Sequence, residues 1–251
     1  KAKGDMRNFG ARNVSIEVEY DSELVKVLSD EAEKDSLPAG TLGEQDPALD
    51  HGTFIPLYFI NKFYKEFKVV RVGLSGLSHL EHYKLGKTIA RTVNKLGRDA
   101  VFIASGDLSH KLLHEGPYGF AKEGPEFDKQ VTEAMKNADF LSFLNFDPSF
   151  CESAAECGLR SFIIMAGAMD GKAVASELLS YEGTFGVGYA VASFEILGND
   201  ENRHFDLIYE QEQHKRISKI KSEEDEYVKL ARLSLETYVK TGKYVKLPKY
   251  L

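Results

Sequence analysis

Two histidines stand in settings where imidazoles serve chemistry more often than packing. His51 lies in Asp50-His51-Gly52-Thr53-Phe54-Ile55-Pro56-Leu57, and His110 closes Ser105-Gly106-Asp107-Leu108-Ser109-His110. Each sits in a turn of small residues beside an apolar run. A histidine so placed can act as general base and general acid near neutral pH. His110 follows a predicted strand directly, and in open α/β sheets the ligand crevice lies at the carboxyl ends of the strands. The plain alternatives are a helix-capping role for His110 and a turn histidine held by Asp50 for His51. Asp107 and Asp50 either orient the imidazoles or simply build the turns.

Glu156-Cys157-Gly158 opens a nearly apolar stretch that runs to Met169. A carboxylate or thiol preceding a buried helix points inward, where an unpaired charge is costly unless it meets a metal or a donor. The competing reading has Glu156 stabilising the helix N-terminus and Cys157 packing as a small hydrophobe. His79 and His82 have the spacing of a metal pair but read as a solvated helix start. His114, His204 and His214 fall in polar stretches and receive no role. Gly183, Gly186 and Gly188 lack the helix and acidic residue of a dinucleotide fingerprint.

The elements that must position these groups follow from periodicity. Val14–Val18 alternates as a strand, and 22–33 carries Leu24, Val25 and Leu28 at helical spacing. Residues 36–50, rich in Gly, Pro and Asp, form a loop that delivers His51, and 57–63 is a short helical segment. Residues 67–74 and 99–104 are short runs of the buried-strand type. Between them Leu80, Leu85, Ile89, Val93 and Leu96 mark a helix ending at Gly97, which completes a strand–helix–strand crossover. Helices are expected over 126–144 and 155–169, and strands over 174–181 and 187–197. The fold class is α/β, a mixed central sheet flanked by helices. Residues 199–221 read as a charged linker. Ser222 is the expected cap of a last amphipathic helix that carries Tyr227, Ala231, Leu235 and Tyr238.

Composition narrows the function classes. The chain has 251 residues, 43% hydrophobic, enough for a substantial core. Its net charge of −7 argues against a nucleic-acid partner, which clustered Lys and Arg would serve. Two cysteines are too few for a disulfide framework and point to a reducing cytoplasm. No apolar run approaches the ~20 residues that cross a bilayer, and no signal peptide is present, so a membrane partner is not expected. The start at Lys1 reads as the beginning of a fragment.

The ordered motifs DHGTFIPL, SGDLSH, AECGLRSFIIMAGAMDG and YEGTFGVGYAVASF resemble the LigB family, the catalytic subunits of class III extradiol ring-cleavage dioxygenases. The resemblance runs from about Gly4 to Leu197 and is nearest to the Memo-related AmmeMemoRadiSam system protein A branch. In that branch an AMMECR-type domain follows, and the tail from Ser222 looks like its opening. The implied domains are 1–198, LigB-like with its N-terminal part missing; 199–221, the linker; and 222–251, the start of the AMMECR-type domain. The resemblance implies Fe(II), or another divalent metal, a small aromatic diol or related phenolic as substrate, and dioxygen as co-substrate. By the same resemblance His110 is the catalytic acid/base, His51 contacts substrate, and Glu156 is the metal carboxylate, with Cys157 the competing ligand. The family's two metal-binding histidines lie in PHPP-like and SPH-like motifs, neither of which is in this sequence. A homo-oligomer is compatible with all of this. A Memo-like module that binds a metal or a peptide is the alternative function, and a metal-dependent hydrolase a third.

Overall fold

The computed structural model describes residues 1–43 and 46–245. They divide into two compact units, Lys1–Asp206 and Leu207–Leu251. The first is mixed α/β, and its β residues lie in two small sheets.

One sheet holds β1 (Ala2–Met6), β2 (Ala11–Tyr20) and β3 (Lys68–Val69), with β1 antiparallel and β3 parallel to β2. The alternation expected at Val14–Val18 is present, and Ile16 and Val18 are buried with Ala2, Leu49, Phe54 and Leu57. Phe54 and Leu57 come from α2 (His51–Ile60), so this small core fixes the helix that carries His51. Helix α1 (Ser22–Lys34) follows β2 and is capped by Asp21, whose side chain accepts from the Leu24 amide at 3.0 Å.

The second sheet is a hairpin of β4 (Lys172–Glu182) and β5 (Tyr189–Asn199). Between the sheets in sequence run α3 (His79–Lys95), α4 (Glu123–Lys136), α5 (Phe140–Asn145), α6 (Pro148–Ala154) and α7 (Leu159–Ala168). The apolar α7 buries Leu159, Phe162, Ile163, Ile164, Met165 and Ala166. Its closest partner is α3, through paired glycines. A Cβ on Gly86 would stand 2.0 Å from the Ile164 carbonyl oxygen, and one on Gly167 would stand 2.0 Å from that of Tyr83. Only glycine admits two helix backbones this close.

Several expectations need correction. Of the strand read over 67–74 only Lys68–Val69 pairs, and 99–104 forms no strand although it is extended; Val101 is 87% exposed. A buried-type run becomes a strand only when a neighbour accepts its amides and carbonyls, and no ladder partner reaches 99–104 among the described residues. The helix expected over 126–144 breaks into α4 and α5 at Ala138, which takes a φ of 48°, with Asp139 capping α5 through the Ser142 amide. The helix expected from Ala155 begins at Leu159, because Ala155 is a left-handed C-cap of α6, with φ 53° and ψ 46°.

The stretch read as a linker is helical over α8 (Phe205–Ser222). Its charges are spread around the helix, so no apolar stripe betrayed it. The second unit also contains α9 (Glu226–Thr241). Asp225, not Ser222, caps α9 by accepting from the Val228 amide at 2.8 Å, while the Ser222 hydroxyl donates to Lys219 within α8. No helix among the described residues is long and apolar enough to cross a membrane.

Candidate metal and proton-transfer site

Residues 105–110 and 155–158 lie against each other through two glycines. A Cβ on Gly106 would fall 2.4 Å from the Gly158 Cα, and one on Gly158 would fall 2.8 Å from the Asp107 carbonyl oxygen. This contact puts Cys157 beside Asp107. The Asp107 amide donates to Cys157 Sγ at 3.2 Å, and the Cys157 amide donates to the Asp107 carbonyl at 3.4 Å. His110 completes the group, since donor atoms of Asp107, His110 and Cys157 all lie within 4.8 Å of one another.

The His110 ring is oriented by backbone. A carbonyl only accepts, so the contact between Nδ1 and the Ala155 carbonyl makes Nδ1 the protonated nitrogen. Nε2 lies 3.4 Å from Asp107 Oδ2 and, in the neutral ring, is the nitrogen free to accept a proton. The left-handed backbone of Ala155 turns that carbonyl toward the ring, and such strain in a residue other than glycine is characteristic of functional sites. The edge of His110 meets the Tyr118 ring, with centroids 5.1 Å apart.

Beneath the turn, the fully buried Ser109 donates through Oγ to the Ala154 carbonyl at 2.8 Å, and its amide donates to Asp128 Oδ1 at 2.8 Å. Asp128 Oδ2 accepts from the Tyr181 hydroxyl at 2.7 Å. Burial pushes the Asp128 carboxyl above its ordinary range, opposed by these two donors. The turn is also laced to the β4–β5 turn: Leu108 donates to the Gly188 carbonyl at 2.9 Å and Gly188 to the Ser109 carbonyl at 2.8 Å.

Glu156 and Cys157 part company here. Glu156 Oε2 accepts from the Leu159 amide at 2.7 Å, the helix-terminus arrangement weighed from sequence, and Glu156 stands outside the three-residue donor group. Burial raises its pKa, while the Leu159 and Gly158 amides and the Arg160 charge draw it back. Burial also raises the Cys157 thiol above its usual value, against the pull of the Asp107 amide; the Asp107 and Glu156 carboxylates add to the rise. Cys151 is buried and pushed up to about 12, the behaviour of an inert packing thiol.

His51 is the first residue of α2 and is exposed. Asp50 caps the helix by accepting from the Thr53 amide at 2.8 Å, so this carboxylate builds the turn. The Ser105 hydroxyl donates to the Gly52 carbonyl at 2.7 Å and ties the His51 turn to the start of the His110 turn. The two motifs are therefore joined by one hydrogen bond. The His51 ring lies 6.0 Å from that of Phe9.

Three of the remaining histidines, His79, His82 and His204, have structural settings of their own. His82, expected at a solvated helix start, is 3% exposed, with Nδ1 against the Ser78 carbonyl at 2.9 Å. His79 is lowered mainly by burial. His204, given no role from sequence, contacts Asp170 through Nδ1 at 2.7 Å and Glu201 through Nε2 at 3.2 Å. Asp128 and Ala155 were missed in the sequence: the first reads as an ordinary helix residue, and nothing in an alanine announces positive φ.

The model of the catalytic LigB subunit of aromatic ring-opening dioxygenase matches residues 1–192. The chain belongs to the LigB family. A protein of Clostridium acetobutylicum is 39% identical over 256 residues, covering 99% of this chain and 54% of that relative. The 3,4-dihydroxyphenylacetate 2,3-dioxygenase of Escherichia coli is 26% identical over 149 residues, 56% of this LigB chain and 54% of the enzyme. A MEMO1 family protein of Methanosarcina mazei is 24% identical over 110 residues, 43% of this chain and 38% of that protein. The chain spans about half the length of the first two relatives, or less in the case of the third.

The donor group suits a divalent metal. A thiolate and a carboxylate with an imidazole beside them form a group of mixed softness that takes ions of the Fe(II), Co(II) or Zn(II) kind. It is not the pairing of two histidines with a carboxylate. Loading such an ion would displace the proton of the Cys157 thiol.

Proposed function

We propose that the protein is an extradiol-type dioxygenase acting on an aromatic diol or a related small phenolic, with Fe(II) as the metal. The observation that carries this reading is the convergence of Asp107, His110 and Cys157 at one point, with His110 Nδ1 held by the Ala155 carbonyl and Nε2 on the Asp107 side. The LigB family match and the ring-cleaving relative support it. Within this reading Cys157, with Asp107, supplies protein ligands from this chain. Glu156 is the less favoured ligand because its Oε2 is engaged at the α7 terminus. When bound, the metal would gather diol and dioxygen at adjacent open positions.

His110 does the proton work. Nε2 accepts a proton from a substrate hydroxyl, and the resulting imidazolium is held between the Ala155 carbonyl and Asp107 Oδ2, each satisfying one N–H. Returning that proton later in the cycle makes the same nitrogen the general acid. Tyr118 borders the ring, and His51, on the turn joined to this one by Ser105 and Gly52, contacts the substrate.

A Memo-like module that binds metal without oxygen chemistry is the second reading. It is favoured by the cysteine in the donor group and by the MEMO1 family relative. Anaerobic loading of the protein with Fe(II), followed by a panel of catechols and oxygen, decides between them. The dioxygenase reading expects oxygen uptake stoichiometric with a coloured ring-opened product. His110→Ala should retain the metal and lose ~10²–10⁴-fold in turnover, the range of general acid–base catalysis, whereas Cys157→Ala should lose the metal. Metal binding without oxygen uptake on any diol would establish the module instead.

A further inference from the structure

We propose that Asp128 is the positioning residue of the site, holding the 107–110 turn so that His110 Nε2 faces the Asp107–Cys157 pair. This deepens the metal-site reading above and rests on it.

Asp128 touches both the His110 turn and the hairpin. It lies on α4, outside both sequence motifs, and is 1% exposed. Both of its oxygens are committed as acceptors, Oδ1 to the Ser109 amide and Oδ2 to the Tyr181 hydroxyl of β4. An ionised carboxylate accepts only, so it matches two donors without remainder. Gly188 of the β4–β5 turn closes over it, for a Cβ there would fall 2.0 Å from Oδ2. The carboxylate therefore sits in a socket shaped for it between α4, the hairpin and the His110 turn.

Through the Ser109 amide α4 reaches the turn's backbone. Ser109 precedes His110, whose own amide donates to the Ala154 carbonyl at 3.2 Å and whose ring meets the next carbonyl, that of Ala155. Displacing Ser109 rotates both contacts together. The ring then loses the acceptor that keeps its proton on Nδ1, a proton on Nε2 would block proton abstraction, and Asp107 on the same turn moves relative to Cys157. Buried partners that orient metal-site residues in this way typically change metal affinity ~10–100-fold when removed.

Asn is a demanding control. Asp128→Asn keeps an oxygen for the Ser109 amide and turns its NH2 toward the Tyr181 oxygen, which can accept. It removes charge but not position. Asp128→Ala removes both, and Tyr181→Phe removes only the Oδ2 donor.

The test pairs two measurements on the full chain. Co(II) is titrated while the thiolate-to-cobalt absorption is followed, and the His110 ring nitrogens are read by long-range proton–nitrogen NMR without metal. For Asp128→Ala, cobalt binding is expected to weaken by at least ~10-fold, and the Nε2 resonance should move toward the protonated form. Asp128→Asn should stay within about threefold of the parent with the ring unchanged, since outer partners act through orientation. Tyr181→Phe, on a half-exposed strand, should show an intermediate ring shift and keeps the test alive if the alanine variant fails to fold. An unchanged His110 ring in both Asp128→Ala and Tyr181→Phe would overturn the proposal. So would an Asn variant as impaired as the alanine, which would make charge rather than position the cause. Failure of the parent to bind Co(II) would sink the metal reading, while the ring nitrogens would still judge Asp128.

Discussion

Gly106→Ala tests whether the glycine contact is what assembles the donor group. The added Cβ would stand 2.4 Å from the Gly158 Cα, 3.1 Å from the Gly158 nitrogen and 3.2 Å from the Cys157 carbonyl oxygen. All three are backbone atoms, so no side chain can swing away. Ordinary carbon–carbon contact begins at about 3.5 Å, so the two turns must part by roughly 1 Å. Overpacking of this kind costs ~1–3 kcal/mol. The loss of unfolded-state freedom on replacing glycine offsets ~0.4–1 kcal/mol of it, leaving a net destabilisation of about 1–2 kcal/mol. For a unit of this size each kcal/mol moves Tm by roughly 2–4 °C. The same separation stretches the 3.2 Å bond from the Asp107 amide to Cys157 Sγ beyond bonding range. Cobalt affinity should therefore fall with stability, by ~10-fold or more if the donors no longer converge. Gly73→Ala, with nothing within 4 Å of its Cβ, is the control and should change neither quantity. A Gly106→Ala protein that melts and binds Co(II) like the parent would refute the assembly argument.

Two pH effects follow from groups remote from the site. Glu31 accepts from Lys34 at 2.7 Å and Lys95 at 2.9 Å, contacts that hold its pKa near about 2, below its ordinary 4.5. Its folded pKa is depressed, so its stabilisation is complete above 4.5 and is lost as pH falls toward 2. Chemical denaturation of Glu31→Gln should accordingly show a shallower loss of stability across that acid range; an identical slope to the parent would contradict it. His204 is raised by its bonds to Asp170 and Glu201. Its contribution is present below 6.5 and fades as pH climbs through the raised folded value. His204→Gln should flatten the stability profile above pH 6.5, and an unchanged profile there would show that the contacts carry no net energy.

The sequence made the site's polar turns legible because their signals are local. The turn at Asp50, the small residues of 105–109 and the Glu156-Cys157-Gly158 opening of α7 all depend on a few neighbouring residues, although α2 begins at His51 rather than at Leu57. The helices with one apolar face, such as α3, were equally plain. What the sequence hid depends on distant partners or on backbone geometry. Residues 99–104 look like a buried strand because their composition suits one, but pairing is a property of two segments, and Val101 ends up in solvent. Ala138 and Ala155 adopt positive φ without the glycine or asparagine that would announce it. Ala138 divides what reads as one continuous helix into two, and Ala155 holds back the start of the next from 155 to Leu159.

The break at Ala155 matters most for function. Had α6 run on into α7, residues 155–158 would be helical, their carbonyls spent on amides four residues ahead. Stopping α6 in a left-handed residue frees the Ala155 carbonyl for His110 and places Cys157 on a turn that Gly158 lets approach Asp107. The local cost of positive φ at an alanine, of order 1 kcal/mol, is thus the condition for bringing a thiol, a carboxylate and an oriented imidazole to one point. Ala155→Gly would relax that strain and should leave His110 in place, because glycine adopts the same backbone without penalty. Ala155→Val should not, since a β-branched residue resists positive φ. The His110 ring nitrogens distinguish the two: loss of the Nδ1-protonated form in the valine variant alone would tie the tautomer to the backbone turn, and equal behaviour of both variants would sever it.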